Sequence, residues 1–173
     1  NQEYYFESCA TWSHTSMRGF SARYVPRGFL FNVEAPSAFR CKSPNELLGF
    51  LNTKIIDYYF NASGSNIHYL AGAVAKIPFG KPNDQRVNLA VKESIKFSKE
   101  DWDSFETSWD FKTHPLVNLS KGLWEQTNVA CMMEHYYGEL PKVSCPLEIC
   151  YLLWQGQCKE RFEKLKANEE ELN

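Results

Sequence analysis

Hydrophobic and polar residues alternate loosely at the start of the chain, and this alternation is typical of β-strands. The segments YYFESCATW and FSARYV alternate in this way, and GFLFNV, from Gly28 to Val33, is rich in strand-forming residues. Pro36 interrupts the pattern, which then resumes toward Cys41. The pattern therefore predicts several short strands before the first helix.

The strongest helix signal begins at Ser43. The segment SPNE that starts there has the pattern of a capping box, with proline at the first helical position. Apolar residues then recur on one face at helical spacing. They are Leu47, Leu51, Ile55 and Tyr58. The spacing predicts one long helix that ends near residues 61–64.

Later segments extend this pattern. HYLAGAVAKI and RVNLAVKESIKF are predicted to be strands that flank a polar turn at residues 80–84. SWDFKTHPLVNLS, residues 108–120, predicts a hairpin in which alternation buries Trp109. The last segment carries apolar residues at helical spacing and predicts a helix around Phe162. The predicted fold class is α+β, mostly β.

The overall charge of the chain gives no sign of an anionic partner. Its formal net charge is −2 and its pI is about 6.1. Such a charge does not favour nucleic acid or an anionic membrane surface. No apolar run approaches the ~20 residues that span a bilayer. We therefore expect no membrane contact and no direct nucleic-acid binding.

Six cysteines leave two alternatives open. With sequons at Asn61 and Asn118, an even number of cysteines fits a secreted, disulfide-bonded glycoprotein with a ligand-binding or recognition role. Free thiols in a cytosolic protein are the alternative, which we favour because so aromatic a chain can build a core without disulfides. No Cys-x-x-Cys pair occurs and the four histidines lack ligand spacing, so no metal site is predicted.

Motifs of catalysis are not found in the sequence. It has no Gly-x-Ser-x-Gly elbow and no glycine-rich phosphate loop, since its nine glycines are spread along the chain. The acidic residues at positions 100–106 are predicted to form a solvated helix start rather than an acid–base pair. The sequence therefore predicts a protein that is not an enzyme and needs no cofactor.

Four segments resemble, in their order and spacing, the extended Tudor domains of the germline small-RNA (piRNA) pathway. They are LFNVEAPSAFRC, NELLGFLNTKIIDYY, SWDFKTHPLVNL, and LWEQTNVACMMEH followed by WQGQCKERFEKL. The resemblance implies a Tudor-type β-barrel joined by a long helix to a staphylococcal-nuclease-like, or OB-like, half. It implies a single domain over residues 1–173, with the barrel at 64–120 and the nuclease-like half, including the linking helix, at 1–63 and 121–173.

Tudor barrels bind methylated arginine in a cage of aromatic side chains. The resemblance places the cage region of this chain at six residues. They are Phe79, Gln85, Ser108, Asp110, Phe111 and Thr113. Phe111 keeps its aromatic type and Phe79 is a nearby substitute, whereas polar residues stand at the other cage positions. The resemblance therefore implies a degenerate, Krimper-like cage that binds peptide independently of arginine methylation.

The same resemblance implies a partner and a location. The expected function is a peptide-binding adaptor for an arginine-rich, unmethylated segment of a PIWI-type or other granule protein. The expected location is a cytoplasmic, perinuclear ribonucleoprotein granule (nuage), and a homo-oligomer is allowed. An OB-like nucleic-acid binder is a weaker alternative, because the chain shows no basic stripe.

Overall fold

A computed structural model of the protein describes residues 2–64, 67–80, 84–125, 134–138 and 146–173. The chain divides into two compact units. Unit 1 comprises Asn1–Ile95 and Asn168–Asn173, and unit 2 comprises Lys96–Ala167.

Unit 1 contains a three-stranded antiparallel sheet. Its strands are β1 (Cys9–Trp12), β2 (Ala22–Val25) and β3 (Ser37–Ala38), in the order β2–β1–β3. In the register, Ala10 lies opposite Tyr24 and also opposite Ala38. All four residues of β1 are buried, because this central strand is paired on both edges and covered by the core. The alternation in the sequence correctly predicted β1 and β2.

Helices account for most of the described residues. They are α1 (Pro44–Leu51), α2 (Lys54–Ala62), α3 (Ala71–Val74), α4 (Gln85–Trp102), α5 (Pro115–Glu125) and α6 (Pro146–Leu172). A 3-10 helix covers Gln2–Tyr4, and residues 134–137 form a short helical turn. The boundary between the two units falls within α4 and again within α6.

Four aromatic side chains form the centre of the unit 1 core. Phe60 of α2 has its ring centroid 5.0 Å from that of Phe20 and 4.9 Å from that of Tyr69. Trp12 of β1 completes the group, with its ring 6.0 Å from Phe20. The indole Nε1 of Trp12 donates a hydrogen bond to the Tyr69 carbonyl at 2.8 Å, so the buried polar atom is satisfied. This aromatic core joins β1, α2 and the segment that follows α2.

The single long helix predicted from Ser43 is wrong, because two helices meet at Asn52 and Thr53. The Asn52 side chain accepts a hydrogen bond from the Ala22 amide at 3.0 Å and donates one to the Ala22 carbonyl at 3.1 Å. This pairing ties the end of α1 to β2. The break also rotates the buried face, so that Ile56 is buried and the predicted core residue Ile55 is exposed.

The predicted capping box is not formed either. Ser43 is the N-cap residue of α1 but makes no side-chain hydrogen bond to the helix. Glu46 is buried, and its Oε1 accepts a hydrogen bond from Asn88 of α4 at 2.7 Å. Packing against α4 therefore takes the glutamate away from the local cap.

Two of the predicted strands are helical, and so the predicted fold class, α+β and mostly β, is wrong. The segments HYLAGAVAKI and RVNLAVKESIKF contain α3 and most of α4 instead of a strand pair. Val87, Val91 and Ile95 recur at four-residue intervals and pack in or against the core, so helical periodicity outweighs their strand propensity. The described residues contain no barrel; their one sheet has three short strands.

The hairpin predicted at residues 108–120 is wrong as well. The chain turns at residues 108–113 and then forms α5, which begins with Pro115 at its first position. Trp109 is fully exposed rather than buried. The segment GFLFNV is likewise not a strand but a largely exposed loop. The predicted C-terminal helix is confirmed, although it already begins at Pro146.

Unit 2 is held by polar and aromatic contacts. Lys99 of α4 forms ion pairs of 2.6 Å with both Asp103 and Asp110. The helical turn at 134–137 packs on α6, where the Tyr137 hydroxyl donates to the Leu152 carbonyl at 2.8 Å. A Cβ added at Gly156 of α6 would lie 2.6 Å from the Tyr136 ring, so only glycine allows this close approach.

Replacing Gly49 with alanine should destabilise unit 1. An added Cβ would lie 2.8 Å from Cγ2 of the buried Val91, so α1 and α4 would have to separate. We expect a loss of about 1–3 kcal/mol in unfolding free energy, the usual effect of overpacking a core. Equilibrium denaturation by urea measures it.

The matched control is Gly72→Ala in α3, where no atom lies within 4 Å of the added Cβ. Alanine favours helix over glycine, so this variant should match or exceed the stability of the wild type. Equal effects of the two substitutions would contradict the close contact between α1 and α4.

Candidate functional site

The charges of this chain are unevenly distributed, and this unevenness marks a candidate site. Residues 8–33 contain three arginines and one histidine but no aspartate or glutamate. Residues 58–83 contain two lysines and one histidine and are also free of acidic residues. An acid-free stretch of this kind can contact an anion without repulsion. We call residues 8–33 the basic hairpin, because they contain β1 and β2.

The fold brings the two acid-free segments together. Beyond β1 the chain continues beside the segment that follows α2, with Thr15 and His68 forming an isolated antiparallel bridge. The Ser16 amide donates to the Ile67 carbonyl at 3.0 Å, and the Tyr69 amide donates to the His14 carbonyl at 2.7 Å. Two sequence segments separated by about fifty positions thereby form one surface.

Two histidines and a threonine lie at the centre of this surface. The Thr15 Oγ1 atom lies 3.2 Å from His14 Nδ1 and 3.2 Å from His68 Nδ1. The two imidazole rings are 5.9 Å apart. Thr15 and His68 are exposed and His14 is half-buried, so these groups are accessible to a ligand.

The arginines of the basic hairpin are exposed and have no acidic partner within it. Arg23 donates a hydrogen bond from Nη2 to Ser13 Oγ at 2.6 Å. This bond holds the guanidinium next to Ser13, which precedes His14 in the chain. Among the described residues, no carboxylate lies within 4 Å of the guanidinium of Arg18, Arg23 or Arg27. Such guanidinium groups can bind phosphate with two parallel hydrogen bonds.

The loop that follows β2 has a fixed backbone and exposes apolar side chains. Gly28 has a φ of +105°, and its amide donates to the Phe6 carbonyl at 3.1 Å. The Phe6 amide in turn donates to the Phe29 carbonyl at 3.2 Å. Phe29 and Leu30, which follow Gly28 in this loop, have exposed side chains. The loop therefore presents apolar groups from a defined conformation.

The residues predicted for a degenerate aromatic cage fall into both units. In unit 1, Phe79 is half-buried with its ring 5.3 Å from Phe50, and Gln85 is an exposed residue at the start of α4. In unit 2, Ser108 is buried and donates from Oγ to Asp103 at 2.7 Å.

The remaining cage positions lie close to Ser108. The Asp110 amide donates to Ser108 Oγ at 3.2 Å, and the Phe111 amide donates to the Ser108 carbonyl at 3.2 Å. Phe111 and Thr113 are half-buried and Asp110 is exposed. The structure thus brings Ser108, Asp110 and Phe111 into one turn held by local hydrogen bonds. The positions of these residues do not show whether they contact a ligand, so their predicted role in ligand binding stays a prediction.

The structure describes four of the six cysteines of the chain. Cys9, Cys41 and Cys158 are free thiols in the structure, which does not fit the three disulfides expected of a secreted glycoprotein with six paired cysteines. Burial raises the pKa of the Cys9 thiol, which makes it unreactive. Over the described ranges, no group of three or more His, Cys, Asp or Glu side chains could hold a metal ion.

The basic hairpin was missed by sequence reasoning because the charge was summed over the whole chain. Residues 1–95 hold ten Lys or Arg and seven Asp or Glu, a formal charge of +3, although the chain as a whole has −2. A charge count by segment would have revealed the acid-free stretches.

Comparison with known proteins gives two relatives of one class, the adenine-specific methyltransferases. One is the adenine-specific methyltransferase PglX of Lacticaseibacillus casei, which is 34% identical over 175 residues and 100% of this chain. The other is the adenine-specific methyltransferase BrxX of Escherichia coli, which is 38% identical over 122 residues and 68% of this chain. The matches span only 13% and 10% of the length of these relatives. No family model matches the chain.

These relatives overturn several expectations from the sequence. They are named methyltransferases and not Tudor-domain proteins, so the resemblance to an extended Tudor domain is wrong. The expected peptide-binding adaptor, the alternative of a secreted glycoprotein and the expectation of a non-enzyme are contradicted by the same names. The perinuclear granule is also wrong, because the relatives are bacterial and bacteria have no such granules.

No helix within the described ranges is both long enough and apolar enough to cross a membrane.

Replacing Gly28 with alanine should strain the loop that follows β2. An added Cβ meets no atom within 4 Å, so the penalty comes only from the backbone φ of +105°. We expect a loss of about 1–3 kcal/mol in unfolding free energy. Chemical denaturation of the variant measures this loss.

Gly80→Ala is the matched control, because Gly80 also has open space around it but lies outside the positive-φ region. This control should change stability by less than about 0.5 kcal/mol. A Gly28 variant as stable as the control would mean that the loop can relax to another conformation.

Proposed function

We propose that this chain is a segment of an adenine-specific methyltransferase and that its basic hairpin contacts the nucleic acid that carries the target adenine. The single observation that carries the proposal is the 34% identity to PglX along the whole chain. The exposed arginines of the basic hairpin, which have no carboxylate within 4 Å among the described residues, support the assignment of a role to this segment.

A nucleic-acid contact follows from the demands of base chemistry. An enzyme that modifies a base inside a duplex must turn that base out of the stack, which costs a few kcal/mol of stacking and pairing energy. Contacts to the flanking phosphates stabilise the strand in this distorted state and fix its position. A surface for this purpose needs exposed cations and few carboxylates. The basic hairpin has exposed Arg18, Arg23 and Arg27 and no acidic residue.

The exposed apolar loop fits the same role. Side chains such as Phe and Leu are used by proteins that insert between base steps or stack on exposed bases. Phe29 and Leu30 are exposed on a loop whose backbone is fixed by the hydrogen bonds between Phe6 and residues 28–29. Holding such side chains in place before binding reduces the entropy lost in the complex.

We assign the methyl transfer itself to other parts of the methyltransferase. Most of the length of PglX lies outside the segment matched by this chain. The two acid-free segments of unit 1 supply cations, hydroxyls and imidazoles, which suit the binding of an anion. In this division of roles, the present chain holds the substrate.

The proposal replaces the expectation that the chain does not contact nucleic acid. That expectation rested on the net charge of −2 and on the lack of a basic stripe along the sequence, and neither describes the surface of the folded chain. The absence of membrane contact and the allowed homo-oligomer stay predictions.

Neutralising the basic hairpin should weaken binding to nucleic acid. In the double variant Arg18→Gln and Arg23→Gln, we expect about tenfold lower affinity for duplex DNA at low salt. The slope of log K against log salt should fall by about 1–2, because one phosphate contact contributes about 0.9. Fluorescence anisotropy with labelled duplex, measured over a salt series, gives both quantities.

The matched control neutralises two exposed lysines of unit 2, Lys112→Gln and Lys121→Gln. It removes the same charge and should leave the salt slope unchanged. If both double variants lost the same affinity for duplex DNA, the loss would reflect only the change in net charge. That result would exclude a defined interface at the basic hairpin.

A chimera tests the link to the methyltransferase. The matched segment of PglX would be replaced by this chain, and methylated adenine would be measured by mass spectrometry after hydrolysis of DNA or RNA substrates. We expect the chimera to retain methylation. Introducing Arg18→Gln and Arg23→Gln should raise KM for the substrate more than it lowers kcat, since the contact is made before the chemical step. A folded chimera without methylation would contradict the assignment.

A further inference from the structure

A cavity of about 430 Å³ lies within unit 1, and neither His14 nor His68 lines it. Residues of β1, β2 and β3 form one side of it, and residues of α1 and α4 form the other. Its volume falls within the range of ~300–1,000 Å³ that is usual for small-molecule sites. The cavity is therefore large enough for an organic ligand.

The charged residues that line the cavity are mostly basic. They comprise Arg27, Arg40 and Lys92, with Glu7 as the one acidic residue among them. Arg40 forms ion pairs of 3.4 Å with Glu7 and 3.7 Å with Glu3, which leaves Arg27 and Lys92 as the cations without a carboxylate partner among the described residues. Across the described part of the chain, no carboxylate lies within 4 Å of the charged nitrogens of Arg27 or Lys92. Two cations that share a cavity and lack a counter-ion favour the binding of an anion.

Arg40 is held at the cavity by an unusual backbone conformation. Its φ of +52° lies in the left-handed region, which is strained for a residue other than glycine. Its guanidinium is bound by Glu7, by the Glu3 carbonyl at 3.3 Å, and by the Tyr4 ring at 4.8 Å. Strain of this kind persists where the surroundings fix a functional group. Three contacts fix this guanidinium in the wall of the cavity.

Apolar groups complete the lining. Leu47 and Leu48 of α1 and the ring of Tyr24 of β2 also line the cavity. A bare inorganic ion would leave this apolar wall without a partner. The lining thus suits a ligand with an anionic group and an organic part, of which an aromatic base or a sugar is an example.

We propose that this cavity binds a phosphate group carried by a nucleoside. Arg27 and Lys92 bind the phosphate, the ion-paired Arg40 forms part of the wall, and the apolar wall contacts the nucleoside. The phosphate can come from a free nucleotide or from the backbone of a nucleic-acid strand. The two sources share the chemistry and differ in whether the phosphate is terminal or bridging.

This inference does not depend on the role of the basic hairpin in a methyltransferase. Arg27 belongs both to the basic hairpin and to the cavity lining, but Lys92 lies outside the hairpin. Arg18 and Arg23 lie outside the lining. Loss of one kind of binding without the other therefore separates the two proposals.

Isothermal titration of the 173-residue chain with three related ligands tests the phosphate group. Adenosine has no phosphate, adenosine monophosphate has a terminal one, and the dinucleotide adenylyl-adenosine has only a bridging one. At least one phosphate ligand should bind about tenfold or more tightly than adenosine, the usual effect of a charge-assisted contact. The ligand that does so identifies the source. Adenosine binding as tightly as both would overturn the proposal.

Charge-neutral variants test the site. Arg27→Gln with Lys92→Gln should weaken binding of the preferred phosphate ligand about tenfold or more. The control Lys76→Gln, at an exposed position outside the lining, should bind as the wild type does. Equal affinity of the double variant and the control would overturn the proposal.

The wild-type chain offers a second readout that needs no variant. Cys41 lines the cavity and is partly accessible, whereas Cys158 lies in unit 2 and is also partly accessible. The bound ligand should slow alkylation of Cys41 and leave that of Cys158 unchanged, as quantified by peptide mass spectrometry. Unchanged alkylation of Cys41 at a saturating ligand concentration would place the ligand elsewhere and overturn the proposal.

Discussion

The aromatic core of unit 1 is the constraint on which the candidate site depends. Phe60 of α2 packs against Phe20 and Tyr69, and Trp12 of β1 hydrogen-bonds to the Tyr69 carbonyl. These contacts fix the segment after α2 beside the end of β1. Because His14 and His68 lie on these two segments, their approach follows from packing that occurs beneath them. Burial of large rings thus positions polar groups that have little stabilising effect of their own.

Among its described residues, unit 1 contains both arginines that are paired with carboxylates and arginines that are not, a difference that the net charge of the chain does not reveal. The paired cations, Arg40 and Arg86, are bound by neighbouring carboxylates, and the Asp84 carboxyl has a lowered pKa because Arg86 hydrogen-bonds to it. In contrast, the arginines of the basic hairpin lack such partners among the described residues. Ion pairs exposed to water contribute little to stability. The unpaired guanidinium groups therefore cost the fold little and stay available to an anion.

Sequence reasoning was correct where local and tertiary preferences agree. The alternation around β1 and β2 and the helical spacing of apolar residues near the end of α6 gave correct elements, although Phe162 of that helix is exposed. It was wrong where tertiary contacts decide. Asn52 ends α1 by binding Ala22, thirty positions away, and no local signal predicts that pairing. In α4, strand-forming Val87, Val91 and Ile95 concealed a helical period. The Tudor resemblance relied on the order of degenerate motifs, which a different fold can reproduce.

The threonine between the two histidines links the states of the two rings. A hydroxyl carries one proton, so Thr15 can donate to only one of the two Nδ1 atoms that lie 3.2 Å away. If both bonds form while the rings are neutral, the other Nδ1 must carry a proton and donate it to the hydroxyl oxygen. The two imidazoles then adopt opposite tautomers, so that one Nε2 atom is a donor and the other an acceptor. Rotation of the Thr15 hydroxyl, accompanied by proton exchange at both rings, would exchange the donor and acceptor roles of the two Nε2 atoms.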